Sequence, residues 1–177
     1  RQRRKQVWVT VGVVLALVVA GMAWAAWSSS WLGVKQVHVQ GVKHLSEAEV
    51  IDAAAAPMGT SLLRADVAAI EKRVAELPLV RDVRVDRSFP DALVVVVSER
   101  EAVAWTRRGG KPWAVDAAGV VYRPLNATPK HLPRIVVKRG NTDAMEAAAR
   151  VAADLADSAP ELLSEVVKIS AKSQDSI

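Results

Sequence analysis

The sequence predicts an α+β protein that has a single N-terminal transmembrane helix and two small domains after it. An uncharged apolar run at residues 7–27 predicts the helix. Strand and helix patterns in the order β-α-α-β-β, over residues 34–100, predict the first domain. The region 102–177 has several short strand patterns and one helix pattern, which predict a β-rich second domain. The 177 residues are enough for two small domains.

The apolar segment 7–27 contains 21 residues without a charge, enough to cross about 30 Å of hydrocarbon as a helix. Four basic residues precede it, and Lys35 is the first basic residue after it. The positive-inside rule therefore assigns residues 1–6 to the cytoplasm and the rest to the outside of the plasma membrane. The alternative is a signal peptide cleaved near Ala23-Trp24-Ala25, but the apolar core of such peptides usually has about 7–15 residues. We expect an uncleaved single-pass anchor.

The segment 34–100 is predicted to form a small module in which two helices pack on one face of a three-stranded sheet. Ser46 and Glu49 have the spacing of a capping box, and Asp66 is placed to cap the second helix. The last two strands are predicted to form a hairpin through a loop around Phe89-Pro90-Asp91. The predicted strands lie at 34–41, 80–85 and 93–98, and the predicted helices at 46–56 and 67–77.

The composition changes after Glu101. Residues 102–140 hold eight Lys or Arg and one acid, Asp116, whereas residues 141–177 are acidic. A further strand is expected to start within 162–170, where no later segment is available to pair with it. We therefore expect the native chain to continue past the C-terminus of this sequence, and to start before its first residue, which is not Met. Strands are predicted at 102–106, 112–115, 120–122 and 134–137, with a turn at 116–119 and a helix at 142–155.

Residues suited to catalysis or metal binding do not form a recognisable site in the sequence. The chain has no cysteine, and His38, His44 and His131 lack the spacing of metal ligands. Gly109-Gly110-Lys111 lacks the full phosphate-loop pattern and is predicted to turn a hairpin. Glu99 and Glu101 would share a face on a strand, but the neighbouring arginines favour charge-paired surface residues over a catalytic pair. The sequence predicts no enzyme, no cofactor and, without aromatic interleaving in its basic segment, no nucleic-acid partner.

Residues 57–105 carry an ordered set of motifs that resembles the FtsQ (DivIB) family of bacterial cell-division proteins. Phe89 stands where tryptophan is usual in that family, which keeps the aromatic character of the position. The segment 115–122 also resembles the family, at the start of its second domain. The matching motifs are Gly59-Thr60-Ser61-Leu62, the helix led by Asp66, Leu77-Pro78-Leu79-Val80, Val83-Arg84-Val85, Arg87-Ser88-Phe89-Pro90-Asp91, the valine-rich strand and Glu99-Arg100-Glu101-Ala102-Val103-Ala104.

The resemblance implies a POTRA domain at residues 34–101 and a β domain, incomplete here, at residues 102–177. It implies a non-enzymatic component of the division machinery that is anchored in the plasma membrane at the septum. It further implies binding of FtsB and FtsL through the β domain, and through them a link to the septal peptidoglycan synthase complex. Two alternatives remain, a POTRA-type module of a translocation or chaperone system and a membrane-anchored cell-wall enzyme.

Seven residues are candidates for partner contact. Small sheets with exposed edges are suited to recognition by strand addition, and the basic segment 102–140 would steer acidic partners. The alternative for Phe89-Pro90-Asp91 is that it only shapes the turn. The candidates are Arg84, Arg87, Phe89 and Asp91 near the first hairpin, and Arg107, Arg108 and Lys111 in the second domain.

Overall fold

A computed structural model describes residues 2–28, 33–138, 140–159, 161 and 166–171. Helix α1, Gln2–Ser28, contains the whole apolar segment 7–27. Across the described residues, no helix has both the length and the apolar character that crossing a membrane requires. The transmembrane assignment of residues 7–27 therefore stays a prediction.

The first β-α-α-β-β module has the predicted order of elements. It consists of β1 (Gln36–Gln40), α2 (Glu47–Ala54), α3 (Val67–Ala75), β2 (Val80–Ser88) and β3 (Ala92–Glu99). The three strands form one sheet in the order β1-β3-β2. β1 and β3 run parallel, with Val37 opposite Leu93 and Val39 opposite Val95, so the last strand of the module lies in the middle of its sheet.

Local sequence signals begin both helices of this module where they were predicted. Ser46 accepts a hydrogen bond from the Glu49 backbone N–H, while the Glu49 carboxylate accepts one from the Ser46 backbone N–H, which completes the capping box. Asp66 caps α3 by accepting from the Ala69 N–H at 3.0 Å. The apolar stripe of α3 is then buried through Ile70 and Val74.

The valine-rich strand β3 alternates between buried and half-buried residues. Leu93, Val95 and Val97 are buried, and Val94 and Val96 between them are half-buried. This is the pattern of a central strand with one face on the core. Such a strand keeps most of the surface of four consecutive valines away from water, although charged clusters lie on both sides of them.

A five-stranded sheet and a helix form the second module. The sheet order is β6-β5-β4-β7-β8, and α4 packs on it through the alanines of its buried face, which include Ala144, Ala148 and Ala152. The elements are β4 (Ala104–Arg108), β5 (Lys111–Val115), β6 (Val121–Pro124), β7 (Arg134–Val137), α4 (Thr142–Ser158) and β8 (Lys168–Ala171). By contact density the chain divides into two units, Arg1–Leu77 with Asp82–Ser98 and Pro78–Arg81 with Glu99–Ile177.

The last strand corrects one expectation from the sequence. The strand predicted within 162–170 was expected to lack a partner, but β8 pairs in parallel with β7, from Arg134 opposite Lys168 to Val137 opposite Ala171. The helix α4 connects the two strands and covers the sheet, as in other parallel crossover units. The pairing was missed because a parallel partner lies on the far side of a helix in the sequence.

Candidate partner-binding surfaces

The hairpin that joins β2 to β3 holds four of the candidate residues. Arg87 donates from Nε to the Leu62 carbonyl at 2.9 Å and from a terminal nitrogen to the Ala65 carbonyl at 2.8 Å. These two bonds fix the loop before α3 to the sheet, a structural role that the sequence pattern did not indicate. Arg84 lies on the exposed side of β2 and forms a surface ion pair with Asp86 at 3.0 Å. A role of either arginine in partner binding stays a prediction.

The turn itself contains one tethered residue and one exposed aromatic residue. The Asp91 carbonyl accepts hydrogen bonds from the backbone of Lys35 and Gln36, and its carboxylate pairs with Lys35 Nζ at 3.2 Å. Asp91 thereby ties the turn to the start of β1. Phe89, joined to Pro90 by a cis peptide bond, leaves 60% of its surface exposed. Phe89 thus offers apolar surface to another molecule.

The outer edge of β2 is partly occupied by a side chain from α3. The Val85 N–H donates to the Glu71 carboxylate at 2.8 Å. Because β2 is an edge strand of its sheet, this carboxylate covers a backbone donor that an added strand would use. Strand addition along the middle of β2 would therefore have to displace Glu71.

The candidate basic residues of the second unit surround the β4–β5 hairpin. Gly109 and Gly110 have φ angles of 58° and 81°, so the hairpin turns through two left-handed residues, and the hairpin predicted for Gly109-Gly110-Lys111 is confirmed. Arg108 lies over the Trp113 ring, 5.5 Å from its centroid. Arg107 and Lys111 are exposed. The hairpin therefore presents three cations near its turn.

A groove of about 820 Å³ lies beside this hairpin, between the ends of β4 and β7, the turn before β6 and the first turns of α4. We call it the basic groove, because its described lining includes Arg107, Arg108 and Lys138 and one acid, Glu146. Its apolar lining comes from Val120, Val121, Val137 and Met145. Lys138 and the valines were not among the predicted site residues, since only the fold brings these segments together.

Of the two glutamates predicted to be charge-paired surface residues, Glu99 is buried, which corrects that expectation, and Glu101 is exposed. Glu99 ends the strand and is buried, and Glu101 lies beyond it, so the two carboxylates do not share a strand face. The Arg100 guanidinium pairs with Asp116, whose side chain is 4% exposed. Asp116 also accepts from the backbone of Ala118 and Val120. The Arg100–Asp116 ion pair and these two hydrogen bonds, which we call the junction, organise the turn before β6.

Tyr122 contributes to the same junction. Its hydroxyl donates to the Arg100 carbonyl at 3.3 Å. Burial raises the pKa of the Tyr122 hydroxyl, and nearby Arg123 and Arg100 partly oppose that shift. Within the described ranges, no group of three or more His, Cys, Asp or Glu residues is placed to hold a metal ion.

Comparison with known proteins identifies the first module. A family profile described as "POTRA domain, FtsQ-type" matches residues 32–100. A protein of Streptomyces bingchenggensis named Cell division protein FtsQ is 37% identical over 139 residues, which is 78% of this chain and 52% of that protein. Proteins of the same name are 38% identical over 138 residues in Streptomyces venezuelae, covering 77% of this chain and 50% of the relative, and 33% identical over 168 residues in Mycobacteroides abscessus, covering 93% and 53%.

The chain spans about half the length of these curated relatives. The matches extend well beyond the POTRA domain into the second unit, since the longest of the three covers 93% of the chain. The family resemblance of motifs at 57–105 and the observed β-α-α-β-β module agree with the matching profile. The chain therefore belongs to the FtsQ family of bacterial cell-division proteins and carries an FtsQ-type POTRA domain.

Proposed function

We propose that this protein is a non-enzymatic scaffold of the division machinery that binds other division proteins on the outer side of the plasma membrane. The observation that carries this proposal is the succession of an FtsQ-type POTRA domain and a five-stranded sheet with helix α4, matched over most of the chain by cell-division proteins. Both units offer exposed recognition features, with Phe89 on the first and the basic groove on the second.

Anchoring in the membrane is part of the proposal. The 21 uncharged residues of 7–27 support a single-pass anchor, and the four basic residues before them support a cytoplasmic N-terminus. Helix α1 satisfies the backbone hydrogen bonds over this whole segment, which the bilayer interior requires. The POTRA domain and the second unit would then lie outside the membrane, where septal cell-wall synthesis takes place.

The proposed partners are FtsB and FtsL, and through them the septal peptidoglycan synthase complex. Two features support recognition at the second unit. β6 and β8 are the outer strands of the sheet as described, so backbone groups are available for strand addition. The cations of the β4–β5 hairpin are placed to steer an acidic partner.

Depletion of the protein in its native bacterium tests the division role. We expect cells to elongate without septa, and a fluorescently tagged copy to restore septation and concentrate at the septum. Normal septation after depletion, together with diffuse localisation of the tagged copy, would contradict the proposal. A pull-down of membrane extracts with tagged FtsB and FtsL tests the partner assignment separately from the division role.

A further inference from the structure

We propose that the basic groove of the second unit binds an acidic peptide segment that also carries apolar side chains. The inference deepens the proposed function and rests on it for the identity of the segment as part of a division partner. It names one surface and one chemistry, which the family assignment does not.

The charge of the groove favours an anionic ligand. Arg107, Arg108 and Lys138 line it, and Glu146, the one acid among its described lining residues, pairs with Arg150 on the next turn of α4. Among the residues that the structure describes, neither Arg107 nor Lys138 forms an ion pair, and both are exposed. Two cations held at one groove without protein counter-charges attract carboxylates at long range and can pair with them on binding. The N-terminus of α4 adds little attraction for an anion, because the Asn141 side chain already accepts a hydrogen bond from the Ala144 N–H.

The apolar lining favours a peptide with apolar side chains over a purely ionic ligand. Val120 leaves 39% of its surface exposed, and Val121, Val137 and Met145 are half-buried beside it. A polyanion without apolar groups would pair with the cations and leave this surface in water. A peptide that alternates carboxylates with Leu or Val side chains pairs with the cations and also covers the apolar surface. Covering it contributes about 25 cal/mol for each Å² of apolar area removed from water.

Close packing fixes the walls of the groove before any ligand arrives. A Cβ at Gly119 would lie 2.7 Å from the Glu146 backbone, so the turn before β6 lies directly against α4. On the same turn, the Asp116 carboxylate holds the N–H groups of Ala118 and Val120. Because these walls are ordered in the free protein, binding loses little additional conformational entropy.

The experiment measures fluorescence anisotropy on the full chain in neutral phosphatidylcholine nanodiscs. The probe is a labelled nine-residue peptide of alternating Asp and Leu. The comparison peptides are an all-Asp peptide and an alternating Lys and Leu peptide of the same length. We expect the Asp/Leu peptide to bind at least tenfold more tightly than either comparison peptide, with an affinity that falls as salt is added.

The variant Arg107→Glu with Lys138→Glu should weaken binding of the Asp/Leu peptide at least tenfold. Its matched control is Lys130→Glu with Lys168→Glu, which makes the same change in net charge at exposed residues outside the groove and should bind as the native chain does. Val120→Thr, which makes the lining more polar without changing its charge, should also weaken binding. Circular dichroism spectra that match the native spectrum confirm that each variant is folded.

Three outcomes would overturn the inference. The first is equal affinity for the all-Asp and Asp/Leu peptides, and the second is an equal loss in the control variant. In the third, the peptide does not bind, but the protein binds phosphatidylglycerol vesicles through Arg107 and Lys138. That result would assign the groove to the membrane surface. Normal septation after depletion would refute the division role but leave the peptide result unchanged, so the two failures are distinguishable.

Discussion

At the residue scale, Gly41 lies where two backbone segments of the POTRA domain come close together. It follows β1 with a φ of 84°, and a Cβ placed there would lie 2.1 Å from the Val97 carbonyl oxygen of β3. A side chain at this position meets two penalties, a left-handed backbone and a clash with a strand that cannot move without disturbing the core. Glycine is therefore required by the packing of β1 against β3.

Replacing Gly41 with alanine should destabilise the protein by about 2 kcal/mol or more, the combined effect of strain and steric conflict. Gly59 provides the control, because it has a similar φ of 77° and open space around its Cβ position. Gly59→Ala should cost about 1 kcal/mol, the strain alone. Urea unfolding of both variants measures the difference, and equal losses would show that the contact with Val97 is unimportant.

The buried pair of Arg100 and Asp116 is the second residue-scale feature. Arg100→Met leaves the Asp116 carboxylate buried without its cation and should reduce the free energy of unfolding by about 3 kcal/mol. Adding Asp116→Asn removes the uncompensated charge while its amide oxygen still accepts from Ala118 and Val120, so the double variant should recover part of the loss.

The exposed pair of Arg84 and Asp86 serves as the comparison for that experiment. Arg84→Met removes a cation at the surface, where solvent screens the interaction, and should change the free energy of unfolding by less than about 1 kcal/mol. A double-mutant cycle by urea unfolding compares the two sites. If Arg100→Met costs no more than Arg84→Met, the junction does not depend on its ion pair.

At the element scale, the capping box of α2 links helix formation to pH. Hydrogen bonds from the backbone and the hydroxyl of Ser46 to the Glu49 carboxylate lower the pKa of Glu49 below its ordinary value of 4.5. A carboxyl whose pKa is lower in the folded state contributes stability above its unfolded pKa. That contribution is lost as the pH falls through the folded pKa.

Glu49→Gln should therefore reduce the loss of stability that the native protein shows below about pH 4.5, since glutamine keeps an oxygen acceptor and does not titrate. Thermal unfolding monitored by circular dichroism from pH 7 to pH 3 measures the effect. Glu47, exposed in the same helical turn, is the control residue, and Glu47→Gln should leave the acid slope closer to that of the native chain. Identical slopes in the native chain and the Glu49 variant would remove the capping box from the acid response.

The strands differ in how far their pairing follows from local sequence. The hairpins β2–β3 and β4–β5 are visible in the sequence because short turn motifs, Phe89-Pro90-Asp91 and Gly109-Gly110, separate two β patterns. The parallel pairs β1–β3 and β7–β8 are joined by long segments that contain helices. No local signal specifies which strand lies beside which across such a distance.

At the scale of the whole molecule, the proposed anchor makes a prediction that does not depend on the POTRA domain or the second unit. Leu15→Arg with Val18→Arg introduces two charges near the middle of the 7–27 segment, each at a cost of about 2.5–3.5 kcal/mol in the bilayer centre. We expect the native chain to stay with membranes through an alkaline carbonate wash and this variant to be released. The conservative variant Leu15→Ile with Val18→Leu should behave as the native chain does, and release of the native chain itself would contradict the anchor.

The family could be inferred from the sequence because its motifs stand in order over a continuous stretch, from Gly59 to the residues after Glu99. The elements of the first module could also be predicted, because caps, helical stripes and strand alternation are properties of neighbouring residues. The residues of the candidate site were harder to predict from the sequence. Arg107 and Arg108 were identified by their charge, whereas Lys138 and Val120 belong to the basic groove only through the folding of distant segments.

The sequence by itself determined the helices and the hairpins, because each depends on contacts among residues close together in the chain. It indicated the FtsQ-type POTRA domain through family motifs that stand in order along the chain. Only the tertiary structure decided that Arg87 and Glu71 hold the POTRA domain together, that Arg100 and Asp116 form a buried pair, and that β8 lies beside β7. The physical reason is that burial and charge pairing depend on which distant segments meet. A charged residue has the same local pattern whether it faces water, a carbonyl or a buried carboxylate.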